Sequence, residues 1–208
     1  MSRGQFISLE GLEGVGKTTN RLFIEKLLKQ AGIEVVVSRE PGGTELGESL
    51  RELLLHGRAG MLAQTELLLM TASRSEHIDK VIEPALSQGH WVLSDRFTDA
   101  SFAYQGGGRE LGASVVTDLH LLMKADLQPN LTLLLDMPIE AGMARAASRG
   151  KLDRIESEER AFFERARAAY LQRAAGDPQR IKIIDAGQSL EQVQQAVSEA
   201  LQPLLAAA

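Results

Sequence analysis

Short, nearly unbroken apolar runs alternate along this chain with longer stretches in which apolar residues return every three or four positions. The runs are QFISLEG (5–11), IEVVVS (33–38), HWVLSD (90–95), NLTLLLDM (130–137) and RIKIID (180–185). Each has the length of a strand, and the almost continuous apolar character of 130–137 suits a strand covered on both faces. Helical spacing runs over Lys17–Gln30 through Leu22, Phe23, Leu27 and Leu28, with Gly32 as punctuation. It returns over Glu45–His56, with Leu46, Leu50, Leu53 and Leu54 on one side, and over Gln64–Gln88, with a break expected near Glu83-Pro84. Further helices are expected around Phe102–Tyr104, over Ala113–Lys124 and Glu140–Arg149, from Ser157 to about Ala175, and from Ser189 onward. Strands alternating with helices predict an α/β fold: a five-stranded parallel sheet, helices on both faces, three layers. Its active residues belong at the C-terminal strand ends. The sequence has no internal repeat and no linker, so residues 1–208 are expected to form a single domain.

Composition narrows the partners more than the fold. With 44% apolar and 25% charged residues the chain is ordinary for a globular protein. A net charge of −5 argues against a general nucleic-acid binder, which needs a net basic surface. There are no cysteines, so disulfides and thiolate metal sites are excluded. The opening MSRGQFISLEG lacks the apolar core of a secretory signal, and no apolar run approaches the ~20 residues of a membrane span. A cytoplasmic protein is expected. The histidines (His56, His77, His90, His120) show no ligand spacing and read as structural.

The chemistry is announced between the first strand and the first helix. Gly11-Leu12-Glu13-Gly14-Val15-Gly16-Lys17-Thr18 is a G-x-x-x-x-G-K-T loop in the required context, with Thr19 just beyond it. Its glycines let backbone N–H groups point inward at phosphates, and the helix beginning near Lys17 adds the positive end of its dipole. Lys17 can bridge the β- and γ-phosphates, and the Thr18 hydroxyl can ligate Mg²⁺. A nucleoside triphosphate site, and with it a P-loop NTPase fold, follows. A carboxylate in such a loop, Glu13, is unexpected beside polyanions. With the phosphates held by backbone N–H groups and Lys17, its side chain is free to face the other way, toward an acceptor.

A triphosphate site alone admits a GTPase, an ATPase motor or a small-molecule kinase. The guanine-reading N-K-x-D signature is absent, and the chain is short for most motor scaffolds. LSDRF places Asp95 at a strand C-terminal end, where an acid holds Mg²⁺ through water or orients a nucleophile. Arg96 follows, within reach of an anionic acceptor.

FISLEGLEGVGKTT, REPGGT, SDRFTDASFAYQGGGR and RGKLDRIE occur in the order and spacing of bacterial thymidylate kinases, which the chain resembles over essentially its whole length. The resemblance implies transfer of the ATP γ-phosphate to dTMP, giving dTDP for dTTP synthesis, with Mg²⁺. Arg39, Glu40 and Pro41 then face the acceptor crevice, and Arg39 with Arg96 would clamp the acceptor phosphate. Arg74 matches the arginine that donates to a thymine carbonyl, Tyr104 the tyrosine against the sugar, and Ser101 and Gln105 polar neighbours of the base. Where many members have a phenylalanine that stacks on thymine, this chain has Met70, with Leu54 and Phe97 sharing the packing. Glu13 matches an acid near the sugar 3′-hydroxyl.

The resemblance also reads residues 145–157 as a mobile lid over ATP. No arginine occupies positions 12 to 15, whereas Arg145, Arg149, Lys151 and Arg154 crowd the lid around Gly150. The chain thus looks like the lid-arginine type, with Arg149 the leading catalytic candidate, Arg154 the next, and Asp153 ordering the lid by pairing with a neighbouring arginine. Apolar surface around Leu67–Leu69 and Leu119–Leu122 is expected to be core, with part of it a homodimer face, as in that family. The alternatives are another nucleoside monophosphate or deoxynucleoside kinase, with dUMP, dCMP or thymidine as acceptor, and a P-loop regulatory switch.

Overall fold

In the computed structural model, residues 2–57, 60–123, 127–148 and 153–206 are described. Five parallel strands, β1 (Phe6–Glu10), β2 (Val35–Arg39), β3 (Trp91–Asp95), β4 (Leu131–Asp136) and β5 (Ile181–Asp185), form one sheet in the order β2-β3-β1-β4-β5. The central β1 pairs with β3 (Leu9 opposite Asp95) and with β4 (Glu10 opposite Leu134), so Glu10 and Asp95 end side by side at the C-terminal edge.

Side-chain alternation along β1 divides the core. Ile7 and Leu9 pack with Ile24 and Leu28 of α1 (Lys17–Gln30) and with Val193, Val197 and Leu201 of α9 (Leu190–Ala206). Phe6 points to the other face, against Ile78, Ile82 and Phe97. Helices therefore cover both faces, in three layers, as the alternation of strands and helices requires. The remaining helices are α2 (Glu45–His56), α3 (Ala63–His77), α4 (Glu83–Ser87), α5 (Thr98–Ser101), α6 (Ala113–Leu122), α7 (Ile139–Ala147) and α8 (Arg160–Gly176).

Two departures from regular helix matter. The expected break near Glu83-Pro84 is a wide π-turn, Ile78–Ile82, between α3 and α4. Proline has no N–H, and its ring clashes with the carbonyl four residues back, so the helix widens there instead of stopping. The short helix around Phe102–Tyr104 is likewise a π-turn over Phe102–Gly108, continuing α5. α8 starts at Arg160 instead of Ser157, because the side-chain and backbone groups of Asp153 hold the preceding residues in a turn.

One close approach ties the phosphate loop to α7. A Cβ added at Gly14 would lie 1.9 Å from the carbonyl oxygen of Gly142, and one at Gly142 would lie 2.7 Å from that of Glu13. Only glycine at both positions lets these two backbones touch. Among the described residues, no helix is long and apolar enough to cross a membrane.

Candidate active site

The loop from β1 to α1 delivers Lys17 at the first helical residue, after Gly16 in the left-handed region at φ 92°. Lys17 Nζ donates to the carbonyls of Gly11 (2.9 Å) and Leu12 (2.7 Å), folding back over its own loop. Burial, with the Arg96 charge nearby, pulls this ammonium below its ordinary pKa, while Glu13 works against the shift. The Glu13 carboxylate accepts from Arg96 Nη2 at 2.6 Å and from the Tyr104 hydroxyl at 2.9 Å, and lies 3.8 Å from Lys17 Nζ. Burial alone would raise its pKa; Arg96, Lys17 and Tyr104 outweigh that and carry it down to about 2. The unexpected acid thus turns toward residues from the acceptor side.

Arg96 sits at the end of β3 with φ 72°, a left-handed conformation costing a side-chain-bearing residue on the order of 1 kcal/mol. Three hydrogen bonds hold it there. Its N–H donates to Leu9 O (3.0 Å), Ser94 Oγ donates to its carbonyl (2.7 Å), and the N–H of Phe97 donates to Glu10 Oε1 (2.7 Å). The bend swings the guanidinium over the Tyr104 ring and onto Glu13. Glu10 also meets the Tyr170 hydroxyl at 2.7 Å. Its burial, reinforced by the charge of Asp99, pushes its carboxyl up to about 8 against those hydrogen bonds and Arg96.

At the far end, Arg74 of α3 is buried and held on several sides. Its Nε donates to Glu40 Oε2 (2.7 Å), and its Nη2 to Ser101 Oγ (3.0 Å) and to the Phe97 carbonyl (3.1 Å). Glu40 precedes Pro41 through a cis peptide bond and meets His77 Nδ1 at 2.9 Å, while His77 Nε2 meets Ser38 Oγ at 2.7 Å. His77, a structural histidine as expected, therefore belongs to the support of Arg74. Burial works to raise the Glu40 pKa, but Arg74 and His77 hold it below the usual carboxylate range.

One cavity of about 460 Å³ joins these parts. Glu13, Gly14, Gly16, Lys17, Thr18, Thr19 and Arg145 line its phosphate-loop end. Pro41, Met70, Arg74, Phe97, Ser101, Tyr104 and Gln105 line the other end, with Asp95 and Arg96 between. The Asp95 Oδ1 atom is buried with no hydrogen-bond partner among the described residues. Gly11, Leu12 and Val15 contribute loop backbone instead; Leu12 and Val15 turn their side chains into the core.

Three expected residues stand elsewhere. Arg39 lies outside the cavity, 53% exposed, with Nη2 donating to Glu48 at 2.7 Å; the side chain at the end of β2 turns toward α2. Arg51 of α2 lines the cavity in its place and donates to the Pro41 carbonyl at 3.0 Å. Leu54 is fully buried, and its neighbour Leu55 faces the cavity. Arg154 does not reach the phosphate end. Its Nε donates to Leu54 O (2.8 Å), and its Nη2 forms a 2.7 Å ion pair with Glu66. Asp153 accepts from the N–H groups of Ile155 and Glu156, and among the described residues no arginine pairs with it. Arg149, Gly150 and Lys151 lie outside the described residues.

Arg51, Leu55 and Glu66 are absent from the sequence expectations. Arg51 carried a signal: it falls on the stripe of α2 that buries Gly47 and Leu54, where a cation is out of place unless something anionic meets it.

The family model described as thymidylate kinase matches residues 9–197. The chain belongs to the thymidylate kinase family. It is 52% identical to the thymidylate kinase of Nitrosospira multiformis over 98% of this chain and 100% of that one. It is 54% identical to that of Pseudomonas putida (strain F1) over 97% of each. The crystal structure of thymidylate kinase from Ehrlichia chaffeensis superposes with a TM-score of 0.78 at 34% identity, covering 96% of this chain and 99% of that one. The P-loop NTPase fold expected from the loop and strand pattern is that of this family.

Proposed function

We propose that this member of the thymidylate kinase family transfers the γ-phosphoryl group of ATP to the 5′-phosphate of dTMP, giving dTDP and ADP. The observation that carries the reading is the single cavity, with a triphosphate loop at one end, a buried arginine aimed across at the other, and cations between. The backbone of residues 11–18 and Lys17 hold the donor, Lys17 exchanging its loop carbonyls for phosphate oxygens. Arg51 and Arg96 take the acceptor phosphate, overcoming the repulsion between two polyanions. Arg145 lies at the loop end of the cavity, and Arg149 is the lid residue proposed to meet the moving group. Glu13 holds Arg96 and lies beside Tyr104, where a sugar hydroxyl can donate to it.

The Thr18 hydroxyl and the unpartnered Asp95 oxygen suit Mg²⁺, which takes few protein ligands and completes its shell with phosphate and water. Bound there, Mg²⁺ supplies charge neutralisation at the β- and γ-phosphates. Arg74 donates toward a base carbonyl, which favours thymine or uracil over cytosine with its exocyclic amine. Met70 and Phe97 flank the base. Exposed apolar side chains on α6 and α3, among them Leu122 (83% exposed), Leu121 and Leu68, form the proposed homodimer face.

A coupled assay of ADP release with dTMP, dUMP, dCMP and thymidine tests the reading. The expected outcome is the highest kcat/KM for dTMP and no turnover without acceptor. A preference for dCMP or thymidine overturns it.

A further inference from the structure

Glu66 is the only acid on the stripe of α3 that also presents Met70 and Arg74, one and two helical turns further on. Its side chain is 1% exposed and takes donors from three residues. Gln105 Nε2 donates at 2.8 Å, Arg109 Nε and Nη2 at 3.2 and 3.0 Å, and Arg154 Nη2 lies at 2.7 Å. Burial favours the neutral acid, but the Gln105, Arg109 and Arg154 contacts prevail and hold the carboxyl below its ordinary pKa. Arg109 is itself fixed, pairing with Glu158 at 2.6 Å and lying over the Phe162 ring.

This carboxylate has a consequence for Gln105, which is nearly fully buried and lines the acceptor end of the cavity. A primary amide has two faces, a donor and an acceptor, related by a flip. An ionised carboxylate accepts only, so the Gln105 amide nitrogen must face Glu66. The amide oxygen, which has no hydrogen-bond partner among the described residues, is left for the cavity. We propose that Glu66 is a specificity-positioning residue: it locks the Gln105 amide so that an acceptor meets the ring edge of the base. Such an acceptor pairs with a pyrimidine carrying N3–H, as in thymine and uracil. It meets a lone pair on N3 of cytosine. Arg74 reads the carbonyl edge, and Gln105, set by Glu66, reads the neighbouring ring nitrogen. This inference rests on the cavity binding a nucleoside monophosphate as acceptor.

The test is kcat/KM for dTMP, dUMP and dCMP in the full-length protein and in Glu66→Gln, whose amide can donate as well as accept and so permits the flip. The dTMP/dCMP ratio is expected to fall about tenfold, the worth of one buried hydrogen bond. The dTMP/dUMP ratio should hold, since both bases carry N3–H. Arg109→Met, which removes donors to Glu66 but leaves Gln105, is the structural control; it should lower Tm and leave the dTMP/dCMP ratio intact. Gln105→Met covers the case in which Glu66→Gln fails to fold, and should itself lower the ratio about tenfold. An unchanged ratio in Glu66→Gln, or in Gln105→Met, overturns the proposal. So does an equal loss in Arg109→Met, which would mean general loosening of the pocket. A wild-type protein that does not prefer dTMP instead refutes the acceptor reading, so the two failures are distinct.

Discussion

Two arginines near the end of β2 divide their work: Arg51 of α2 lines the cavity, whereas Arg39 turns away to pair with Glu48. Lys17, Thr18, Arg74, Tyr104 and Gln105 all line one cavity as expected. Arg39 does not, because its side chain leaves the end of β2 toward Glu48 of α2, a contact with no sequence spacing to betray it. The Arg39–Arg51 exchange gives a sharp expectation. Arg51→Ala should raise the KM for dTMP at least tenfold, losing a charged contact to phosphate, whereas Arg39→Ala should change it less than threefold. Steady-state kinetics with dTMP varied at saturating ATP decides between them. Glu10 offers a pH-dependent test. Its folded pKa of about 8 lies above the ordinary 4.5, so the folded state holds a proton that the unfolded state releases. The stability of the native protein should therefore fall as pH rises from about 4.5 to 8, through this group. Glu10→Gln mimics the protonated acid and lacks that slope. Urea unfolding should find the variant matching wild type near pH 5 and more stable by up to a few kcal/mol at pH 8.5. A gap that does not change with pH would mean that Glu10 is ionised throughout.

At the scale of elements, periodicity located every strand and the major helices, since buried strands and amphipathic helices announce themselves by spacing. The two π-turns were not legible as such. Wide turns keep helical composition, and only the tertiary setting shows that Phe102–Gly108 presents Tyr104 and Gln105 to the cavity. Widened turns of this kind frequently occur at functional sites. α2 depends on its cap: Thr44 Oγ1 accepts from the N–H of Gly47 at 3.0 Å, with Glu45 and Glu48 in the first turn. Thr44→Ala should cost about 1 kcal/mol. Because α2 carries Arg51 and Leu55, the loss should appear in the urea midpoint and in KM for dTMP before it appears in kcat.

For the molecule as a whole, the strand–helix alternation and the C-terminal position of the site were legible, because parallel sheets leave few other solutions. The coupling of Arg154 to α3 was not, since it joins segments far apart in the chain through one buried carboxylate. Assembly belongs to this scale. If the proposed homodimer forms through these leucines, Leu68→Glu combined with Leu122→Glu should convert it to monomer in sedimentation velocity, with secondary structure unchanged by circular dichroism. A wild-type protein that is already monomeric at micromolar concentration would dispose of the dimer face. The contact between Gly14 and Gly142 also reaches beyond any local motif. In mutational space Gly142 behaves as one more position of the phosphate loop, although it lies on α7, far downstream, where no pattern search would look. Two chains with identical loops but different residues at this point would not hold the same cradle. The tolerance of the loop to change is thus written partly outside it, in α7.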